Sequence, residues 1–138
     1  MRRAMPACAV AVTLAAASCE GRIATAPDNV LLQPTAERFE ASGPVTVFIS
    51  NLSDEPVSTV GCRAGELQEW LGLHRWRVVP VRRSICTLGG GMAAGPGENS
   101  RTFGLPPSEV PPGTYRARVL LQQSGRLMHV TSHPFEVR

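Results

Sequence analysis

Between Pro111-Pro112-Gly113 and Gln123-Ser124-Gly125 every second side chain is the one a buried surface needs. Tyr115, Ala117, Val119 and Leu121 alternate with Arg116, Arg118, Leu120 and Gln122. A period of two belongs to a strand, whose successive side chains point to opposite faces, whereas a helix repeats every 3.6 residues. A strand with one apolar face is stable only when a second layer covers that face. The run therefore predicts a sheet with one buried side. The Pro-Gly and Ser-Gly pairs at its ends predict turns, the second leading back into a strand over 127–131.

The same grammar recurs upstream. Val45, Val47 and Ile49 alternate with Thr46, Phe48 and Ser50 until Asn51-Leu-Ser-Asp-Glu-Pro56, a dense cluster of turn formers. Residues 57–60 are a short, partly β-branched run ending at Gly61-Cys62. Residues 66–71 and 75–79 flank Gly72-Leu73-His74 and predict a hairpin, with Trp76 and Val78 on one face and Arg75 and Arg77 on the other. The stretch TLGGGMAAGPGE has neither the Lys nor the spacing of a phosphate-cradling loop and reads as a flexible connection. Residues 101–105 and 135–137 complete the set. Only residues 36–40 and 65–69 suit a helix, and both are too short to organise a core. The 12 Pro and 13 Gly suit many turns. About seven short strands, with turn signals every eight to twelve residues, predict one antiparallel β-sandwich over residues 29–138.

The N-terminus obeys a different rule. Arg2-Arg3 is followed by an uncharged, Ala-rich run over residues 4–19 and then Glu20. As a helix that run spans about 24 Å, short of the ~30 Å hydrocarbon core of a bilayer, so it reads as a cleaved export signal over residues 1–18. Removing it leaves twelve Arg against eleven acids, a net charge of +1 in place of +3. Such a balance gives no electrostatic footprint for a nucleic acid. Every basic residue is Arg, which reads as a codon-usage bias.

With Cys8 lost in the signal, Cys19, Cys62 and Cys86 remain, an odd number for an exported chain. Ala16-Ala17-Ser18-Cys19 resembles a bacterial lipobox, with Ala16 where that family usually carries Leu. The resemblance implies cleavage before Cys19 and a diacylglyceryl group on its sulfur; the segment after it, residues 20–27, carries no useful periodicity, so residues 19–28 read as the lipidated Cys and a tether. Ordinary A-x-A cleavage after Ala17, leaving Cys19 as a thiol, is the competing reading. Cys62 and Cys86 lie 24 positions apart. A bridge between them is expected in an oxidising envelope and is worth roughly 3 kcal/mol by loop entropy. Two buried thiols or a metal pair are the alternatives, the last without C-x-x-C spacing to support it.

GPVTVFISNLSDEPV, LPPGTYRARV and the closing HPFEVR resemble the immunoglobulin-like domains of bacterial secreted and surface proteins over residues 39–138. The resemblance implies an immunoglobulin-like sandwich, a tyrosine-corner role for Tyr115 and a core role for Trp76. It speaks to fold and not to activity. The Cys–Trp–Cys order of the family is missing, so a Cys62–Cys86 bridge would pin loops or an edge.

No catalytic constellation assembles. His129 and His133, on one strand, would stand ~13 Å apart, too far to share an ion. Glu66 and Glu69 fall on opposite faces of a strand, and no G-x-S-x-G elbow exists. Arg75, Arg77, Arg82 and Arg83 form the one dense charge cluster. It suits either contact with an anionic surface or a charged edge that discourages edge-to-edge pairing. Trp70, opposite the Leu67/Leu71 face, is a packed aromatic or an exposed anchor for a partner. The expectation is a non-enzymatic envelope lipoprotein with no cofactor and no metal. It would be held to a membrane by its lipid and would bind an unidentified envelope protein or glycan. A protease-inhibitor-like domain, its loop within residues 84–100, is the alternative.

Overall fold

The computed structural model describes residues 24–25, 28–61, 65–79, 92–100, 103–105 and 110–138. The signal region 1–18 and Cys19, Cys62, Cys86, Arg82 and Arg83 lie outside these residues. So do residues 84–91 of the connection between the hairpin and the next strand.

The alternating run becomes β10 (Gly113–Gln123), the longest strand at 11 residues, with buried and half-buried side chains in strict succession over Tyr115–Leu121. It is the spine of the larger sheet. Along one edge it pairs antiparallel with β11 (Arg126–Thr131) and then β12 (Phe135–Val137). Along the other it pairs antiparallel with β5 (Val57–Thr59) and β6 (Gly65–Trp70). Each of these four carries one further short strand. β1 (Ala24–Thr25) lies parallel to β11, β3 (Arg38–Phe39) parallel to β12, and β8 (Ala93–Ala94) and β7 (Trp76–Val78) antiparallel to β5 and β6. The second sheet orders β2 (Val30–Pro34), β4 (Val45–Asn51) and β9 (Phe103–Leu105), with β4 central.

The two sheets face one another across a single apolar layer. Tyr115, Ala117, Val119, Leu121, Leu67, Val57, Met128, Val130, Phe135 and Val137 come from the larger sheet. Val30, Leu32, Val45, Val47, Ile49 and Leu105 come from the smaller. The chain is thus an all-β sandwich, and no described residue is helical. At the start of β6 the sequence supplies Gly65, opposite Val119 in the ladder. A methyl group on Gly65 would lie 2.5 Å from Leu105 Cδ2.

Two serines stand in for strand residues at breaks in the ladders. Ser132 accepts from Ala117 N–H through Oγ at 2.9 Å and donates its own N–H to Ala117 O at 2.8 Å, holding the β11–β12 crossover on the spine. Ser100 grips Ile49 in the same way, with both bonds at 2.8 Å. Tyr115 Oη donates to Pro111 O at 2.6 Å, a backbone bond of the tyrosine-corner kind. Burial raises the Tyr115 pKa, the nearby Glu69 carboxylate adds to the rise, and Arg77 opposes it.

Several expectations are corrected. Among the described residues there are twelve strands against about seven expected: the apolar run of β2 shows no clean alternation, and β1, β3 and β8 involve only two residues each. No periodicity can announce a two-residue strand. Ala24–Thr25 falls inside the stretch read as a tether and pairs with Met128–His129. The residues considered for a helix form strands: Arg38–Phe39 add to β12, and residues 65–69 are β6. Trp76 is not in the core. It stands half-exposed on the outer side of the larger sheet.

Candidate functional site

Directly opposed residues of an antiparallel pair project from the same side of a sheet. Arg116 faces Gln68, Arg118 faces Glu66, and Trp70 faces Trp76. The alternation that sends Tyr115 and Ala117 inward therefore sends these six side chains to the outer face, where β10, β6 and β7 lie side by side.

They form one connected arrangement. The Arg116 guanidinium carbon sits 4.2 Å from the centroid of Trp76, a cation–π contact. Its Nε donates to Gln68 Oε1 at 2.7 Å. Gln68, only 4% exposed, passes the relay on by donating Nε2 to Glu66 Oε1 at 2.9 Å. Arg118 closes it through an ion pair with the same carboxylate oxygen. Burial, followed by the neighbouring Arg118 charge, lowers the Arg116 pKa, although a guanidinium stays charged throughout the physiological range. Trp70 packs against Trp76 with centroids 4.9 Å apart and planes tilted 56°, and meets the His74 ring edge-on at 6.0 Å. The result is a half-exposed aromatic pair with a cation laid on it. The network beneath keeps that cation from swinging away.

His129 adjoins the far end of this relay, opposite Leu120 in the ladder. Its Nδ1 and the Arg118 Nε are buried without a hydrogen-bond partner among the described residues. Burial lowers the His129 pKa, the Arg118 charge lowers it further, and Glu66 opposes. A base with a depressed folded pKa binds protons less readily than the unfolded chain. The contribution is therefore present above the unfolded value of ~6.5 and is lost as pH falls through and below it. Thermal melts on acidification are expected to show a decline in melting temperature across that window, and His129→Gln is expected to flatten it.

The β6–β7 hairpin ends in an exposed tip. Leu71 N–H donates to Arg75 O and Arg75 N–H to Gly72 O, both at 3.0 Å. Between them Gly72, Leu73 and His74 all have positive φ, at 79°, 50° and 58°. Leu73 is 85% exposed, Leu71 is exposed at the start of the turn, and Val78 is exposed further back, opposite Gln68.

Of the predicted cationic cluster, Arg77 is tied to Glu69 across the hairpin, while Arg75 has no ion pair among the described residues. Arg82 and Arg83 lie outside them. Among the described residues β7 pairs only with β6. Trp70 packs against Trp76 and His74 and stays half-exposed. Glu66 and Glu69 engage different arginines, Arg118 and Arg77. His133 is exposed beyond the end of β11. Among the described residues, no group of three or more His, Cys, Asp or Glu side chains is placed to hold a metal ion. Within residues 84–100, the described part is tied down: Ala93–Ala94 pair with Val57–Ser58, and Asn99 bridges to Ser50.

The Gln68–Glu66–Arg118 relay was not anticipated. Its signal is the register of β6 against β10, which appears only once the two strands are paired.

No family model matches the chain, and no curated protein matches it. Among solved structures, it is similar to Northeast Structural Genomics Consortium target SoR45, with a TM-score of 0.49 and 15% identity over 81% of this chain and 88% of that one. It is also similar to part of the alkylpurine DNA glycosylase AlkC of Pseudomonas fluorescens, solved bound to DNA containing an abasic site analogue. There the TM-score is 0.35 and the identity 10%, over 80% of this chain and 30% of that one. At these values neither likeness bears on what this chain does.

Proposed function

We propose that the chain is a non-catalytic binding module of the bacterial cell envelope, lipid-anchored through Cys19 and carrying an immunoglobulin-like sandwich. Its contact surface is the outer face of the larger sheet at the β6–β7 end. The observation that carries the reading is the Trp70–Trp76 pair with Arg116 laid on it at 4.2 Å, half-exposed and braced from below by Gln68. Half-exposed Trp and Arg held in fixed positions are the side chains most enriched where proteins bind, because they offer large contact area and lose little freedom on binding. The lipobox-like run before Cys19 supports the anchor.

Metabolic labelling with a palmitate analogue tests the anchor. The wild-type chain is expected to take up label and to pellet with membranes, and Cys19→Ala is expected to lose both. A wild-type chain that is exported but unlabelled would defeat the lipoprotein reading.

A further inference from the structure

Leu73 occupies a position that neither backbone preference nor burial explains. With Gly72 O accepting from Arg75 N–H, Leu73 and His74 are the central residues of a turn with the φ signs of type I′. Asn and Gly fill these positions at least cost. A branched L-residue in the left-handed region costs roughly 1 kcal/mol, and at 85% exposure Leu73 recovers nothing from the core. Two more apolar side chains, Leu71 and Val78, are exposed on the same hairpin, 42% and 46%. The half-exposed Trp70 and Trp76 stand directly behind the tip.

Along the sequence, the charge from the tip onward has one sign. No Asp or Glu lies between Glu69 and Glu98, a stretch that contains Arg75, Arg77, Arg82 and Arg83. Glu69 is engaged by Arg77, and Arg75 has no acidic partner among the described residues.

We infer that the β6–β7 tip is a membrane wedge whose partner is a bilayer carrying anionic headgroups. Leu71 and Leu73 enter the apolar boundary, Trp70 and Trp76 sit at headgroup level, and Arg75 meets lipid phosphate. The order along the hairpin is the one an interface selects, with aliphatic side chains deepest, aromatic rings behind them and guanidinium heads reaching back to phosphate. A free anion or a glycan would leave the leucines unmatched. A second copy of this tip would set an acid-free stretch against itself.

The inference deepens the envelope reading and rests on it for access to a membrane, but the two are tested separately. Both of the chain's tryptophans, 2 in all, lie on this hairpin, so intrinsic fluorescence reports on it alone. The exported chain carrying Cys19→Ala, which has no acyl chain to bind with, is mixed with phosphatidylcholine vesicles with and without phosphatidylglycerol.

Co-sedimentation and a blue-shifted emission are expected with the anionic vesicles only, weakening as salt rises. Leu73→Asn keeps a residue that tolerates positive φ, so its melting temperature is expected not to fall, while vesicle affinity drops roughly tenfold. Arg75→Gln is expected to weaken binding about fivefold. Absence of binding, or equal binding by Leu73→Asn, would overturn the inference. So would self-association through the tip without vesicle binding, which reassigns it to a second copy, or capture by an acidic protein alone. Palmitate-analogue labelling of the wild-type chain reads the anchor independently, so either claim can fail while the other stands.

Discussion

Asn51→Ala is expected to destabilise the fold by about 3 kcal/mol, far more than the loss of one ordinary hydrogen bond. Asn51 ends β4 in the smaller sheet and is 0% exposed. Its Nδ2 donates to Glu55 O at 2.8 Å, Ala94 O at 3.1 Å and Gly95 O at 3.2 Å. Its Oδ1 accepts from Ser53 N–H at 3.1 Å and from the Ser53 hydroxyl. One side chain thereby joins the end of β4, the turn into β5, and β8 in the other sheet. Alanine would strip the buried Ala94 carbonyl and the buried Ser53 N–H of this partner, while the Ser53 hydroxyl would keep Glu55 O at 2.9 Å and Gln123 Nε2 at 2.8 Å. Asp removes the donors while keeping the shape, so Asn51→Asp is expected to cost a similar amount. Urea unfolding followed by tryptophan fluorescence measures the loss. Hydrogen exchange is expected to quicken at Ala94, Gly95 and Glu98, and unchanged exchange there would mean that Asn51 does not tie the sheets together.

Leu121→Ala is expected to cost about 3–4 kcal/mol. Leu121 is 0% exposed on the inner face of β10, between Thr59 on one neighbouring strand and Met128 on the other. No part of the spine is free to move inward and fill the space. Leu120, one position earlier, points the opposite way and is only half-buried, so Leu120→Ala is expected to cost under ~1 kcal/mol. The contrast between adjacent leucines tests the facing of the strand as well as the size of the core. Equal losses would show that both lie against protein.

Much of the core was legible because the inner residues of β10, β4 and β12 keep a clean period of two. The Gln123–Arg126 turn was legible for the same reason as any tight hairpin: Ser124 and Gly125 take φ of 48° and 77°, which Gly at least tolerates freely. β2 hid itself. Val30-Leu31-Leu32 are all apolar, yet Leu31 faces out and is 38% exposed while Val30 and Leu32 are buried. Composition alone cannot split such a run. The two-residue strands were illegible because their partners, rather than their own side chains, decide that they pair. The candidate site was legible as ingredients only. Trp70, Trp76 and the hairpin that carries them could be read, but their link to Arg116 depends on which residue of β10 lies beside Gln68. That register is a property of the folded sheet.

The position of β1 has a consequence for posture. Ala24 pairs with Met128, itself opposite Leu121, whereas the hairpin tip continues from Trp70, one residue past the partner of Tyr115. Allowing ~3.3 Å per residue along the strands and ~4.8 Å between them, the two points lie on a diagonal of about 30 Å across the larger sheet. The five steps from Cys19 to Ala24 reach about 17 Å at most. A chain moored by an acyl group at one corner and by Leu73 at the other could not stand upright on its bilayer like a flag on a pole. It would recline, with the Trp76 side of the sheet turned down toward the lipid and the smaller sheet turned up to meet whatever passes above.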